Sequence, residues 1–115
     1  MELISESKYV EKKSKFFGYL YLVENIEDIE SAVEEVSFKH NKSRHICYSP
    51  ILDSDKIIKN DGEVGSPGKV LLQILKDNNL NSHVLVVGRI FGGVKLGVGG
   101  VSRAFRECGK LLIKS

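Results

Sequence analysis

Residues 88–106 read GRIFGGVKLGVGGVSRAFR, and this stretch organises the interpretation of the whole chain. Apolar residues precede it, and a helical pattern follows it to the C-terminus. Five of its glycines fall within nine residues, and they are Gly92, Gly93, Gly97, Gly99 and Gly100. A strand, a glycine-rich turn and a helix N-terminus in that order predict a seat for an anion, because free N–H groups and the positive end of the helix dipole point the same way.

Cationic side chains accompany these glycines. Lys95 lies inside the turn, and Arg89 and Arg103 flank it. The predicted ligand- or anion-binding residues are therefore Arg89, Gly92, Gly93, Lys95, Gly97, Gly99, Gly100 and Arg103. The alternative is that the glycines only permit a tight turn beneath the sheet.

Two familiar nucleotide motifs do not fit this stretch. A dinucleotide-binding fold needs a further strand and an acidic residue roughly 20 positions later, and we expect neither. A P-loop places its lysine after the glycines, whereas Lys95 precedes those at 97–100. A generic backbone nest for a phosphate or carboxylate remains.

The composition predicts one globular domain over residues 1–115, with 42% hydrophobic and 28% charged residues. A net charge of +2 does not demand nucleic acid, although it permits a local basic patch. No apolar run approaches the length of a membrane span, and the N-terminus lacks a signal peptide, so we expect a cytoplasmic protein without membrane contact. Cys47 and Cys108 are then expected to be reduced and buried. The sequence leaves the oligomeric state open.

Hydrophobic periodicity predicts the order β-β-α-β-β-α-β-α. Residues 16–23 (FFGYLYLV) predict a central strand that is apolar on both faces. Asn25 is expected to cap a helix that runs to about His40, and Ser66 to cap a second helix that begins at Pro67. The fold class is therefore α+β, with a single mixed or antiparallel sheet covered by helices on one face.

Acidic and imidazole side chains offer a second kind of site. Asp61 and Glu63 lie in a turn-rich loop and could act as acid and base or bind a cation, although such a DGE segment is more often a solvated or ion-paired turn. His45 is a potential accessory residue at the mouth of the sheet. It shares a strand face with Cys47, but the spacing supplies no further zinc ligands, so we predict no metal and no cofactor.

Basic and aromatic residues outside the turn could extend the site. The basic side chains could merge with Arg89, Lys95 and Arg103 into one patch, and they are Lys8, Lys12, Lys13, Lys15, Lys39, Lys42 and Arg44. Tyrosines could stack on single-stranded bases, although sheet packing explains most of them as well.

Four motifs, in order along the chain, carry a family resemblance. They are KSKF at 13–16, HICY at 45–48, DGE at 61–63, and FGGVKLGVGGV at 91–101 followed by RAF at 103–105. The chain resembles the YigZ/IMPACT family, whose shared module is the Impact N-terminal domain. It departs from the family pattern in the acidic loop, where DGEVGSPG is one residue shorter than DGEPSGTAG.

The resemblance implies the ribosomal protein S5 domain 2-like fold and a link to the regulation of translation. Eukaryotic relatives compete for the activator of a kinase that senses amino-acid starvation, and no catalytic reaction is established for the module. Bacterial relatives usually add a C-terminal ferredoxin-like domain and eukaryotic ones an N-terminal RWD domain, and we expect neither in this chain.

Three functions follow as hypotheses. The first is a non-enzymatic, translation-linked binding module that contacts RNA or a ribosome-associated protein through the glycine-rich turn. The second is a small enzyme acting on a phosphorylated or carboxylated substrate, which requires a pocket joining the 61–63 loop to the 92–100 turn. The third is a protein-interaction module in which the glycines are only architectural.

Overall fold

The computed structural model describes residues 1–113, and its elements follow the predicted order. The last two residues of the predicted domain lie outside the described residues. The strands are β1 (Glu2–Glu11), β2 (Ser14–Leu22), β3 (His45–Leu52), β4 (Asp55–Lys56) and β5 (His83–Ile90). The helices are α1 (Ile26–Lys39), α2 (Pro67–Asp77) and α3 (Gly97–Lys110).

The strands form one five-stranded sheet in the order β1-β2-β5-β3-β4. Every neighbouring pair is antiparallel, so the α+β class is confirmed and the sheet is antiparallel, not mixed. The placement of β5 between β2 and β3 puts the start of β2, the start of β3 and the end of β5 side by side. Lys15 lies opposite Ile90, and His45 lies opposite Arg89. The segments that leave these strand ends therefore meet at one edge of the molecule.

Helices cover both faces of the sheet, so the expectation that they lie on one face is wrong. Phe16, Leu85 and Val87 pack in a core cluster with side chains of α2 and α3. Tyr19 and Val86 belong to a separate cluster with α1 on the other face. The physical reason is that β2 and β5 carry apolar side chains in both directions, and a single helical layer would leave one set in water.

The helix starts differ in how their first N–H groups are satisfied. Asn25 caps α1 as predicted, since its Oδ1 accepts from the Asp28 N–H at 2.9 Å. Ser66 precedes α2 in a left-handed conformation with φ 50 and makes no capping bond. Instead, Asn60 Oδ1 accepts from the Gly68 N–H at 2.8 Å. This bond fixes the loop between β4 and α2, which carries the predicted acidic residues.

Both cysteines are free and buried, as expected. Burial raises the pKa of the Cys47 thiol far above its usual range, and its Sγ donates to the Asn60 carbonyl at 3.2 Å. Burial likewise raises the pKa of Cys108 to about 11. Protonated, enclosed thiols are poor nucleophiles, so they serve as core residues. Among residues 1–113, no helix is long and apolar enough to cross a membrane.

Candidate anion-binding site

A cavity of about 320 Å³ lies where the glycine-rich turn meets the acidic loop. Glu63 lines it from the loop, and Lys95 lines it from the turn. The two segments predicted to carry function therefore face one space. The other lining residues are Arg44, His45, Val64, Arg89, Phe91, Leu96, Gly97, Val98 and Val101.

A buried ion pair forms the wall of this cavity. Arg89 Nη1 lies 3.2 Å and 3.1 Å from the two carboxylate oxygens of Glu63. The side chains are only 7% and 4% exposed, so each charge depends on the other for compensation. Arg89 therefore acts first as a structural residue, and its predicted direct contact with an anion stays a prediction. Its Nε is buried and has no partner among the described residues.

The tip of the β1–β2 hairpin packs against the turn. Lys12 and Lys13 form a two-residue loop with φ 45 and 70, the pattern of a type I′ turn. A Cβ atom added to Gly92 would lie 2.1 Å from the carbonyl carbon of Lys13, so only glycine fits there. Ser14 joins the two segments, because its Oγ accepts from the Gly92 N–H at 3.3 Å and from Arg89 Nη2 at 3.4 Å.

The acidic loop is tied to β3 by a second set of bonds. Asp61 Oδ2 accepts from the Ile46 N–H at 2.7 Å, and the Asp61 carbonyl oxygen lies 2.6 Å from His45 Nδ1. A carbonyl oxygen can only accept, so Nδ1 carries the proton and Nε2 of a neutral ring has a free lone pair. That Nε2 lies 3.9 Å from Glu63 Oε2. Asp61 and Glu63 are therefore held by the fold.

The backbone of the turn offers donors without partners. Within the described part of the chain, no N–H group from residues 93–99 makes a hydrogen bond. Leu96 precedes α3 without a side-chain cap, so the first turn of that helix is open as well. Gly93 and Gly97 have positive φ values of 86 and 74, which glycine adopts at little cost. The turn therefore carries amide donors without hydrogen-bond partners at the helix N-terminus.

The cavity carries an excess of positive charge. Three cations, Arg44, Arg89 and Lys95, face one carboxylate, Glu63, which gives a net charge of +2 with a neutral His45. Lys95 and Arg44 are exposed, and the Arg44 guanidinium lies 4.8 Å from the centre of the Phe91 ring. A free cation beside open amides favours an anionic ligand.

Arg103 lies apart from this cavity. Its Nη2 lies 2.6 Å from Glu11 Oε2 at the end of β1, on a side chain that is 57% exposed. Of the remaining predicted residues, Gly99 and Gly100 fall within the first turn of α3. An anion contact through Arg103 stays a prediction.

Several contributors to the site were not singled out from the sequence. Ser14, Val64 and Phe91 lie within the family motifs, but no sequence pattern gives them a role of their own. Arg44 was one of many basic residues, although the pairing of His45 with Arg89 places it at the same edge. Across residues 1–113 no group of three His, Cys, Asp or Glu side chains is arranged to hold a metal ion.

The fold and the site together define a small α+β domain with a cationic, glycine-rich cavity. A family model for the Impact N-terminal domain matches residues 12–113, and the chain belongs to this family. It is 35% identical over 100 residues to an IMPACT family member of Haemophilus influenzae, covering 82% of this chain and 48% of the relative. It is 34% identical over 104 residues to YvyE of Bacillus subtilis, covering 87% of this chain and 48% of that relative. YigZ of Escherichia coli is 33% identical over 100 residues, covering 82% and 49%.

Two solved structures share the fold. A hypothetical protein superposes with a TM-score of 0.83 at 27% identity, covering 96% of this chain and 58% of that one. The two-domain translational regulator Yih1 superposes with a TM-score of 0.50 at 19% identity, covering 92% and 44%. The chain thus spans about half the length of the relatives that it matches. The S5 domain 2-like label stays a prediction.

Substituting two glycines of the turn should have opposite effects on stability. Gly92→Ala should lower the free energy of unfolding by about 1–3 kcal/mol, because the new methyl group meets the Lys13 backbone. Gly99→Ala meets nothing within 4 Å and lies in a helix, so it should raise stability by up to about 1 kcal/mol. Urea denaturation measures both, and equal effects would contradict the division into architectural and open glycines.

Removing the buried carboxylate should be costly. Glu63→Ala leaves the Arg89 charge buried without compensation, and we expect a loss of about 3–5 kcal/mol in the free energy of unfolding. Glu11→Ala is the control, since it removes the partner of Arg103, whose side chain is 57% exposed, and should cost far less. The structural role of the buried pair would have to be abandoned if the two variants unfolded at the same urea concentration.

Proposed function

We propose that this domain is a translation-linked regulatory binding module that contacts RNA through the glycine-rich turn. Membership of the Impact N-terminal domain family supports the link to translation, as does the likeness to a structure described as a translational regulator. The observation that carries the RNA contact is the row of unpaired N–H groups at residues 93–99 beside Lys95. Donors of this kind bind phosphate oxygens at helix N-termini.

The basic surface around the turn favours a polymer over a compact anion. Arg44 and Lys95 line the cavity, and the exposed Lys12 and Lys13 lie at the hairpin tip that packs on Gly92. The turn and its surroundings thus carry four exposed cations, more than one phosphate group would need. Phe91 is half-buried and adds an aromatic surface beside these cations. Cationic tracks with accessible rings are typical of proteins that bind single-stranded nucleic acid.

Charge reversal at the turn tests this proposal. The double variant Arg44→Glu, Lys95→Glu should bind a short single-stranded RNA of mixed sequence at least tenfold more weakly in fluorescence anisotropy, because it removes two phosphate contacts and adds repulsion. The slope of log K against log salt concentration should fall in magnitude by about 1.4, roughly 0.7 for each lost contact.

The control for that experiment is Lys56→Glu, Lys76→Glu. Like the double variant at the turn, it changes the net charge by −4, from +2 to −2. Its two positions lie in β4 and near the end of α2. We expect RNA affinity close to that of the unchanged protein. Equal losses of RNA affinity in both double variants would show that only the overall charge matters. Absence of RNA binding by the unchanged protein would overturn the proposal.

A ribosome-associated protein is the alternative partner of the same surface. Val64, Val94 and Val98 are exposed by 49%, 41% and 63% near the turn. Exposed apolar side chains of this kind mark protein contacts when they form a patch. If the protein does not bind RNA, these valines are the candidate contact surface of a module that binds protein only.

A small enzyme is the second candidate function, and the cavity itself favours it. The requirement that the 61–63 loop and the 92–100 turn share one pocket is met. Both Glu63 oxygens are occupied by Arg89, and Asp61 is bonded to β3, so His45 replaces them as the candidate base. Its Nε2 has the free lone pair that general-base catalysis needs. Lys95 and the turn amides would hold the phosphate or carboxylate of the substrate.

Turnover assays with a paired histidine control test the enzyme hypothesis. The protein is incubated with ribonucleoside monophosphates and sugar phosphates, and products are followed by phosphorus NMR. His45→Gln should lower any rate by about 10²–10⁴-fold. His83→Gln should leave the rate unchanged, although His83 Nδ1 makes the same type of bond to a backbone carbonyl at 2.6 Å. Absence of turnover, or turnover that survives His45→Gln, would rule the enzyme out.

A further inference from the structure

The outer edge of β1 is a long, unpaired strand edge. Glu2–Glu11 spans 10 residues at one end of the sheet, and within residues 1–113 it has a strand partner only on the β2 side. Its outward N–H and C=O groups are available to another strand. No proline interrupts it, and its protection consists of charges of both signs and one register irregularity between Leu3 and Ser5. Such an edge is a template for strand addition.

The side chains along this edge are arranged for pairing with a copy of themselves. Glu6, Lys8 and Val10 lie opposite Tyr19, Phe17 and Lys15 of β2, so they share one face of the sheet. Glu6 and Lys8 are exposed, and neither forms an ion pair in the described part of the chain.

Apolar side chains flank this charged pair at both ends. Val10 is 52% exposed at one end, and Leu3 and Ile4 are 39% and 42% exposed at the other. Leu3 lies opposite Tyr21 and so shares the face of Glu6, Lys8 and Val10, whereas Ile4 falls at the register irregularity. This face therefore carries an apolar, a negative, a positive and an apolar side chain in order.

We propose that two copies of this chain pair through β1, antiparallel, about a twofold axis that passes Ser7 perpendicular to the sheet. That axis places Glu6 of each copy opposite Lys8 of the other, so two complementary charge pairs form. It also brings Val10 beside the apolar Leu3–Ile4 segment of the other copy, where the register of β1 is irregular. The two five-stranded sheets then join into one sheet of ten strands, with equivalent helices on the same side. The interface is isologous, because the same residues act on both sides.

Neighbouring registers are disfavoured by the same side chains. An axis at Glu6 sets two Glu6 carboxylates against each other, and an axis at Lys8 does the same with two ammonium groups. Like charges directly opposite across a strand pair are destabilising, whereas opposite charges and apolar pairs are stabilising. Charge complementarity therefore favours the axis at Ser7 over the axes at Glu6 and Lys8. This inference does not depend on the proposed RNA contact.

A charge-swap cycle tests the interface. Sedimentation velocity over a dilution series gives the dimer dissociation constant for the unchanged chain, for Glu6→Lys, for Lys8→Glu and for the double variant. Each single change should weaken the dimer by roughly tenfold, because two opposite-charge pairs become like-charge pairs. The double change recreates both pairs with reversed signs and should restore the affinity of the unchanged chain.

The single variants should fold, since Glu6 and Lys8 face uncharged residues of β2. Val10→Lys provides a second variant and should also weaken the dimer, because it places a charge beside the apolar Leu3–Ile4 segment of the other copy. Amide NMR spectra recorded on dilution should shift at β1 and leave β4 unchanged. A monomer at every concentration would overturn the proposal. A dimer dissociation constant that the single charge changes leave unaltered would overturn it as well. So would a double variant that fails to restore the affinity of the unchanged chain.

Discussion

The arrangement of this domain depends on one buried ion pair, Arg89 with Glu63. Arg89 lies near the end of the central strand β5, and Glu63 belongs to the acidic loop, which hydrogen bonds of Asp61 also join to β3. Taking two charges out of water is expensive, and the contact of Arg89 Nη1 with both carboxylate oxygens of Glu63 offsets part of that cost. Ser14 supplies a further bond to Arg89 and extends the cluster to β2. The pair thus fixes the Glu63 end of the acidic loop against β5, and this end forms one wall of the cavity.

The glycines of residues 92–100, which lie beside this ion pair, have two different roles. Gly92 is architectural, because the backbone of Lys13 occupies the space of its missing side chain. Gly93 and Gly97 bend the chain through positive φ, and no atom lies within 4 Å of a Cβ placed on either. The hairpin tip therefore fixes one end of the turn while the other end stays open at the start of α3. A rigid support with open amide donors is what a preformed anion seat requires.

Much of this fold could be predicted from the sequence, because its signals are local. The order of elements and the Asn25 cap follow from periodicity and capping chemistry, and both are confirmed. The helix placement was wrong even though residues 16–23 were interpreted as apolar on both faces. That pattern already required a cover on each side of the sheet. The apolar pattern on both faces of this strand is therefore a better predictor of helix placement than the general α+β layout.

The site was only partly predictable, because its central contacts join distant parts of the chain. Arg89 and Glu63 were each singled out, but nothing local indicates that they neutralise each other across 26 positions. Ser14 bonds to Gly92 across 78 positions, and a serine in a hairpin carries no sequence signal for that role. Periodicity reports which face of an element is buried. It does not report which loop ends meet.

The central claim is that the turn holds a row of free amide donors in place for negative charge. Amide NMR spectra recorded during a titration with inorganic phosphate test it most directly, with chloride at matched ionic strength as the reference. We predict that the largest, saturable shifts occur at residues 93–99 and that they disappear in Lys95→Glu. Shifts spread evenly over the surface, or a turn that phosphate leaves unmoved, would contradict the account.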